Sequence, residues 1–336
     1  MSATGITVER WTRASRLTIG GVAVVLLALA IGPLVMPAGT TDRLTALLIY
    51  IILAAMWNAL AGFGGLVSVG QQVFFGLGAY FTIRLADAGL DPFLSLVVAA
   101  LGVGIVALPL SVPMLRLKGG EFAIGMWVVA ELTHLLVNLD TLVRGETGTS
   151  LIALNNYGTV ARRDGIYWVA LAAMAVLLGA LFWLLRSRTG AAVQAIRDSE
   201  EAAASLGVRV LRTKRVLFVL AAAGAGMAGA LWLATAITFQ PKAFFGVQWT
   251  AYMIFMVLVG GIGTFEGAIL GAIVFFLIET WFGATGVWYL IGLGATAVLF
   301  ALLLPKGLWG AIDRRWSLRL LPVGYTVKLP STEAAE

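Results

Sequence analysis

Apolar runs of about twenty residues recur along this chain, each long enough to carry an α-helix across the roughly 30 Å hydrocarbon core of a bilayer. Within lipid, backbone N–H and C=O groups must pair internally, which leaves helices or a closed barrel, and barrel strands need only about ten residues. The runs therefore predict an all-α, polytopic membrane protein. Segments near residues 17–36, 44–62, 66–84, 92–113, 120–139, 165–186, 216–238, 249–262, 265–283 and 286–304 give about ten spans. Eight is the lower bound, because glycines interrupt 66–84 and 249–262 is short, so that either could be re-entrant. One membrane domain over 17–304 thus lies between an N-terminal segment, 1–16, and a tail, 305–336.

Only 12% of the residues are charged, about half the share in a soluble domain, so most of the surface must face lipid. The first run follows Arg10, Arg13 and Arg16 in the manner of a secretion signal. It extends to Met36 without a clear small-x-small cleavage site, however, and reads as the first span. The net charge of +6 does not point to nucleic acid. With an inside N-terminus, 17 of the 23 Lys and Arg residues fall in inside segments, the asymmetry of cytoplasmic loops. Both termini are expected in the cytoplasm. With no Cys and one His, no metal-ligand cluster is expected, and no G-x-x-x-x-G-K-[ST] loop is present to hold nucleotide phosphates. No catalytic residue, metal or cofactor is expected on this chain.

Two non-membrane segments are long. The external one, 140–164, balances Arg144, Arg162 and Arg163 against Asp140, Glu146 and Asp164 among turn formers, and reads equally as a lid, a docking surface or a plain connection. The internal one, 187–215, carries a helix signal at its centre. Asp198 stands three residues before Glu201 as in a capping box, and Glu200 and Glu201 suit the positive end of a helix dipole. Ala202, Ala203 and Leu206 favour helix, and Gly207 is placed to end it in the left-handed conformation, with Arg197 just ahead. A helix so short is unstable alone; it suits either a partner's groove or a connector on the membrane surface.

Charges within the membrane are expensive and face the bundle interior or a pathway. Glu131, His134 and Asn138 share one helical face of the fifth span, and Glu279 stands in the ninth. Glu131 and His134 suit a proton relay or a path lining, or else simply satisfy one another near the outer surface. Gly263, Gly267 and Gly271 repeat every four residues, a face for close helix packing. In the Gly62–Gly78 block, Ser68, Gln71 and Gln72 bring polar groups, with Asn58 just before them, into an interrupted span of the kind that lines a translocation path.

Four stretches carry a resemblance. They are Asn58-Ala-Leu-Ala-Gly-Phe-Gly-Gly-Leu-Val-Ser-Val-Gly-Gln-Gln onward to Tyr80, Leu115-Arg-Leu-Lys-Gly-Gly-Glu-Phe-Ala-Ile124, Arg188 to Leu231, and Val259-Gly-Gly-Ile-Gly-Thr-Phe-Glu-Gly-Ala onward to Ala272. Together and in this order they resemble the permease subunits of branched-chain amino acid ABC importers of the LivM type, across most of the chain. The resemblance departs at Glu121, where an aromatic residue is usual. It implies an ABC permease fold in a prokaryotic plasma membrane, a second homologous permease subunit, two ATP-binding subunits that use the ATP, and an external substrate-binding protein. In that family the short cytoplasmic helix is the coupling helix, so Arg197, Asp198 and Glu200–Gly207 would dock on an ATPase. Related permeases carry urea and short amides, which stand as alternative substrates. Outside the resemblance, a proton-coupled carrier and a passive channel are the competing classes; neither needs a capped helix projecting into the cytoplasm.

Overall fold

The computed structural model describes residues 7–9, 13–316, 320–321 and 326–328. Its helices are α1 (Arg13–Val35), α2 (Ala38–Asn58, prolonged by a π-helical turn Ala59–Phe63), α3 (Gln72–Asp87), α4 (Pro92–Met114), α5 (Gly120–Asn138), α6 (Thr159–Arg186), α7 (Arg188–Asp198), α8 (Glu200–Ser205), α9 (Val210–Ala236), α10 (Pro241–Phe244), α11 (Gln248–Gly260), α12 (Phe265–Phe282), α13 (Val287–Leu303) and α14 (Gly307–Trp316). Two short antiparallel ribbons join β1 (Thr7–Glu9) to β4 (Thr326–Lys328) and β2 (Thr149–Ser150) to β3 (Thr238–Phe239).

Among the described residues nine helical segments are long and apolar enough to cross a membrane. The tenth crossing is split. Helix α3 has 16 residues, about 24 Å of rise, and residues 64–71 ahead of it are non-helical. Gly65 lies against Arg197 at one face of the molecule, Gly70 against the Met126 carbonyl within α5, and Arg84 near the end of α3 pairs with Asp140 at the other face. The extended stretch and the helix thus cross together, and the segment is not re-entrant. The eighth span is broken too, with α10 and α11 separated at residues 245–247. Ten crossings is an even number, as the pairing of β1 with β4 requires, since it brings the two ends of the chain to one face. We call that face, which carries residues 187–215 and most of the basic residues, the basic face.

Helices α2 and α9 form the centre. In α2 every residue from Leu48 to Asn58 is buried, and α9 packs against α2, α3, α4 and α6. Small residues permit this: a Cβ on Gly78 would fall 1.9 Å from the Gly226 carbonyl, and one on Gly229 1.8 Å from that of Phe75, so α3 and α9 touch backbone to backbone. Helix α1 lies at the edge, mostly exposed. Its Pro33 cannot donate to the Leu29 carbonyl, and Tyr167 Oη of α6 supplies the missing bond at 2.7 Å while Trp168 Nε1 donates to Ala30 O at 3.1 Å. The proline that weakens the helix also creates its attachment point.

Several boundaries depart from expectation. The seventh span starts at Val210, not near 216. Residues 188–198 form a helix ahead of the expected two-turn element: Ser187 caps it, accepting from Thr189 N and Gly190 N, and Gly190, Val193 and Ile196 form its buried stripe. The tail begins with α14, packed against α11 and α12.

Candidate functional site

At the basic face the break ahead of α3 and the loop between α11 and α12 meet the segment between spans six and seven. Helix α8 is capped at both ends. Its N-cap is Ser199, whose Oγ accepts from Ala202 N at 3.3 Å; the expected cap, Asp198, is instead the last residue of α7 and pairs with Arg197 at 3.0 Å. Serine one residue on fits because its extended backbone both ends α7 and starts α8. At the other end Gly207 adopts a φ of +84°, its N–H bonds Ala204 O at 2.9 Å, and Val208 N bonds Ala203 O at 3.1 Å. This is the Schellman arrangement that the glycine predicts. Ala203 is buried and Leu206 is 86% exposed, so the two turns hold one face on the protein and present a leucine outward. Lys214 Nζ, itself buried, pairs with Glu200 at 2.7 Å and fixes α8 to α9, while Glu201 and Ala202 are exposed.

Arg197 reaches further. Its Nη1 donates to the Gly62 carbonyl at 3.1 Å, in the π-helical turn where α2 loses its regular ladder. Asn58, one helical turn earlier, donates from Nδ2 to Thr264 O at 2.8 Å and accepts from Gly263 N at 2.9 Å. The loop between α11 and α12, residues 261–264, is therefore held by α2, and α2 by α7. There is no slack at this joint: a Cβ on Gly62 would fall 2.1 Å from Asn58 Oδ1 and 2.4 Å from Gly263 N. Gly263, expected on a helical packing face, lies before α12 at a φ of +76° and is part of this joint. Gly267 and Gly271 do face α11, with virtual Cβ positions 2.6 Å from Gly261 O and 1.7 Å from Met256 O.

Ser68, Gln71 and Gln72 are fully buried and staple the extended part of the third crossing to three neighbours. Trp57 Nε1 of α2 donates to Ser68 O at 2.9 Å, Gln71 Nε2 donates to Ala221 O of α9 at 3.4 Å, and the Gln72 side chain accepts from Thr250 Oγ1 of α11. Only Gln71 Oε1 among these side-chain groups is without a partner. The non-helical backbone is thus buried in protein, as its survival at membrane depth requires.

Glu131 and His134 lie elsewhere, beneath the opposite face. His134 Nε2 sits 2.8 Å from Glu146 of the 140–164 segment, Asn138 Nδ2 donates to the same carboxylate at 2.6 Å, and Lys242 N donates to its second oxygen at 2.9 Å. Burial pushes the Glu146 carboxyl up, but the bonds from Asn138, Lys242 N–H and His134 outweigh it and hold the group below its usual range. Asp140 is treated the same way: burial raises it, and Tyr80, Leu142 N–H and Arg84 together bring it lower. Glu131 approaches His134 at 3.5 Å, with its side chain 60% exposed on the outer surface of α5. The 140–164 segment is thus strapped to the bundle, tied also by the β2–β3 ribbon and by Tyr157 donating to Asp91. Among the described residues no three His, Asp or Glu side chains are grouped as metal ligands.

A bundle of about ten crossings, two of them broken, with a capped two-turn helix on one face, defines an integral membrane transport component. The family described as branched-chain amino acid transport system, permease component, matches residues 39–305. The LivM high-affinity branched-chain amino acid permease protein of Escherichia coli (strain K12) is 30% identical over 313 residues, covering 85% of this chain and 73% of that protein. LivM of Salmonella typhimurium is 29% identical over 311 residues, with coverages of 84% and 73%. A solved metal-chelate type ABC transporter in an inward-facing conformation aligns over 89% of this chain and 99% of its own at 16% identity and a TM-score of 0.46. The chain belongs to the branched-chain amino acid permease-component family, and it is a multi-pass membrane protein that forms one part of a transport system.

Proposed function

We propose that this chain is the translocating permease of an ATP-driven importer for branched-chain or related amino acids. It sits in a prokaryotic plasma membrane with the basic face and both termini in the cytoplasm, pairs with a homologous second permease subunit, and receives substrate from an external binding protein. The ATP is bound and hydrolysed by two partner subunits, and this chain carries neither catalytic residue nor cofactor.

The observation that carries the reading is the joint between α7–α8 and the helix breaks. A rigid, doubly capped helix with an exposed leucine is the shape for a groove in a partner, and Arg197 links it through Gly62 to α2 and the 261–264 loop. Movement of a docked ATPase would thereby act directly on α2, on the extended start of the third crossing and on the loop that joins α11 to α12. The second permease subunit is supported by α5. Its outward residues Ile124, Val128, Leu132 and Leu135 are exposed, and Glu131 lies among them. A carboxylate left in lipid at this depth costs about 2.5–3.5 kcal/mol, whereas a second subunit across a water-filled path removes that cost.

Deleting Glu200–Leu206 tests the reading. Insertion is expected to survive while uptake and copurification with an ATPase are lost. In the intact system uptake should stop on ATP depletion and continue with an uncoupler. Normal uptake by the deletion variant, or uptake that follows the proton gradient, would sink it.

A further inference from the structure

Glu279 is a carboxyl group that the transport argument does not use. It lies within one turn of the end of α12, in the wall between α2, α11, α12 and α13. Tyr50 Oη donates to its Oε1 at 2.7 Å, and among the described residues no Lys, Arg or His forms an ion pair with it. Aromatic rings surround it: Tyr50 meets Phe275 edge-on at 5.0 Å, Phe275 meets Tyr252 at 4.7 Å, and Tyr252 meets Tyr289 at 6.4 Å. Tyr289 is more than nine-tenths buried, and its Oη lies beside the Tyr252 hydroxyl with no other side-chain partner. Tyr289 also lines a groove of about 580 Å³ between α12 and α13, walled by Ile278, Phe282, Thr285, Trp288 and Leu293.

We propose that Glu279 and Tyr289, with the neighbouring tyrosines, bind the primary ammonium of an aminophospholipid that enters through the α12–α13 groove. A carboxylate with free lone pairs and a phenol oxygen whose neighbour is another tyrosine hydroxyl are acceptors for a three-donor ammonium, and tyrosine faces attract a cation. The groove favours a lipid over a dissolved amine. It opens on the exposed flank of the bundle, and exposed Phe282 and Trp288 line it as aromatic side chains do at headgroup depth. Apart from Thr285 and Thr296, whose hydroxyls donate to the Phe282 and Gly292 carbonyls, its walls are apolar, as acyl chains require.

The test measures thermal stabilisation of the purified full chain in detergent on titration with phosphatidylethanolamine, phosphatidylcholine, phosphatidylglycerol or L-leucine. Phosphatidylethanolamine should stabilise at the lowest concentration, phosphatidylcholine less well because its trimethylated nitrogen has no N–H, and phosphatidylglycerol least. Glu279→Gln should raise the half-saturating phosphatidylethanolamine concentration about tenfold, the loss of one charge-assisted hydrogen bond, and leave the phosphatidylglycerol response unchanged. Tyr289→Phe, which keeps the ring, should weaken the same response by a smaller factor and carries the test if Glu279→Gln does not fold. Equal responses to phosphatidylethanolamine and phosphatidylglycerol in the wild type would overturn the proposal. So would an unaltered response in both variants, or a Glu279-dependent stabilisation by L-leucine and not by the lipid.

Discussion

Replacing Arg197 by alanine isolates the joint from the docking helix, because Arg197 belongs to α7 while the caps of α8 rest on Ser199 and Gly207. The substitution removes the bond to the Gly62 carbonyl at 3.1 Å and the pair with Asp198 at 3.0 Å. A hydrogen bond from a charged donor contributes about 1.5–3 kcal/mol. With the arginine side chain 37% exposed, the lower part of that range applies, about 1–2 kcal/mol after screening. The Asp198 pair, more exposed still, adds little. If the bond holds α2 to the segment that an ATPase moves, its loss lowers the population of the coupled arrangement about 5- to 30-fold. ATP-driven uptake into vesicles should fall by that factor at equal membrane abundance, while copurification with the ATPase is retained. Arg197→Lys, which can still donate to Gly62 O but loses the fork, should fall between. Uptake by Arg197→Ala within twofold of the wild type would refute the mechanical link.

Three further outcomes follow from local geometry. Gly207→Ala places a Cβ in open space but at a φ of +84°, so it should cost only the left-handed strain, about 1–2 kcal/mol, read as faster hydrogen exchange confined to 199–208. Tyr167→Phe leaves the Leu29 carbonyl opposite Pro33 without its donor; at about 1 kcal/mol this should expose the linker before α2 to limited proteolysis without changing helix content by circular dichroism. Acid should loosen the external segment: because the folded Glu146 carboxyl is held below its usual range, its stabilisation is complete above the ordinary value of 4.5 and is lost as pH falls through the lower, folded value. Proteolysis of 140–158 across pH 3–6 should show this, and Glu146→Gln should reduce the acid dependence to the part that Asp140 contributes.

Much of the fold is written in hydropathy, because a helix that must cross lipid has to be apolar along its whole length and little else can produce such runs. The glycine signals were equally physical at Gly207, where only a positive φ ends the helix, and at Gly267 and Gly271, where two backbones touch. The misreadings share a cause, which is that local sequence does not reveal distant partners. Asp198 and Ser199 are both good caps, and what selects Ser199 is α7, whose buried stripe is packed by neighbours far along the chain. Gly263 fits a four-residue repeat, but Asn58, 205 residues away, draws it into a turn. Ser68 through its carbonyl, and Gln71 and Gln72 through their side chains, bond Trp57, Ala221 and Thr250, partners far along the chain or in the neighbouring helix that only the fold brings near. The same limit shapes the functional reading. Arg197 is legible as a charge beside a short helix, whereas its role as the link to Gly62 exists only once the third crossing is seen to begin in extended backbone at that point. An interrupted helix can move without breaking a regular ladder, so residues 62–71, where hydropathy reasoning was weakest, and the 261–264 loop beside them are also those best built to change shape when a partner pulls on α7.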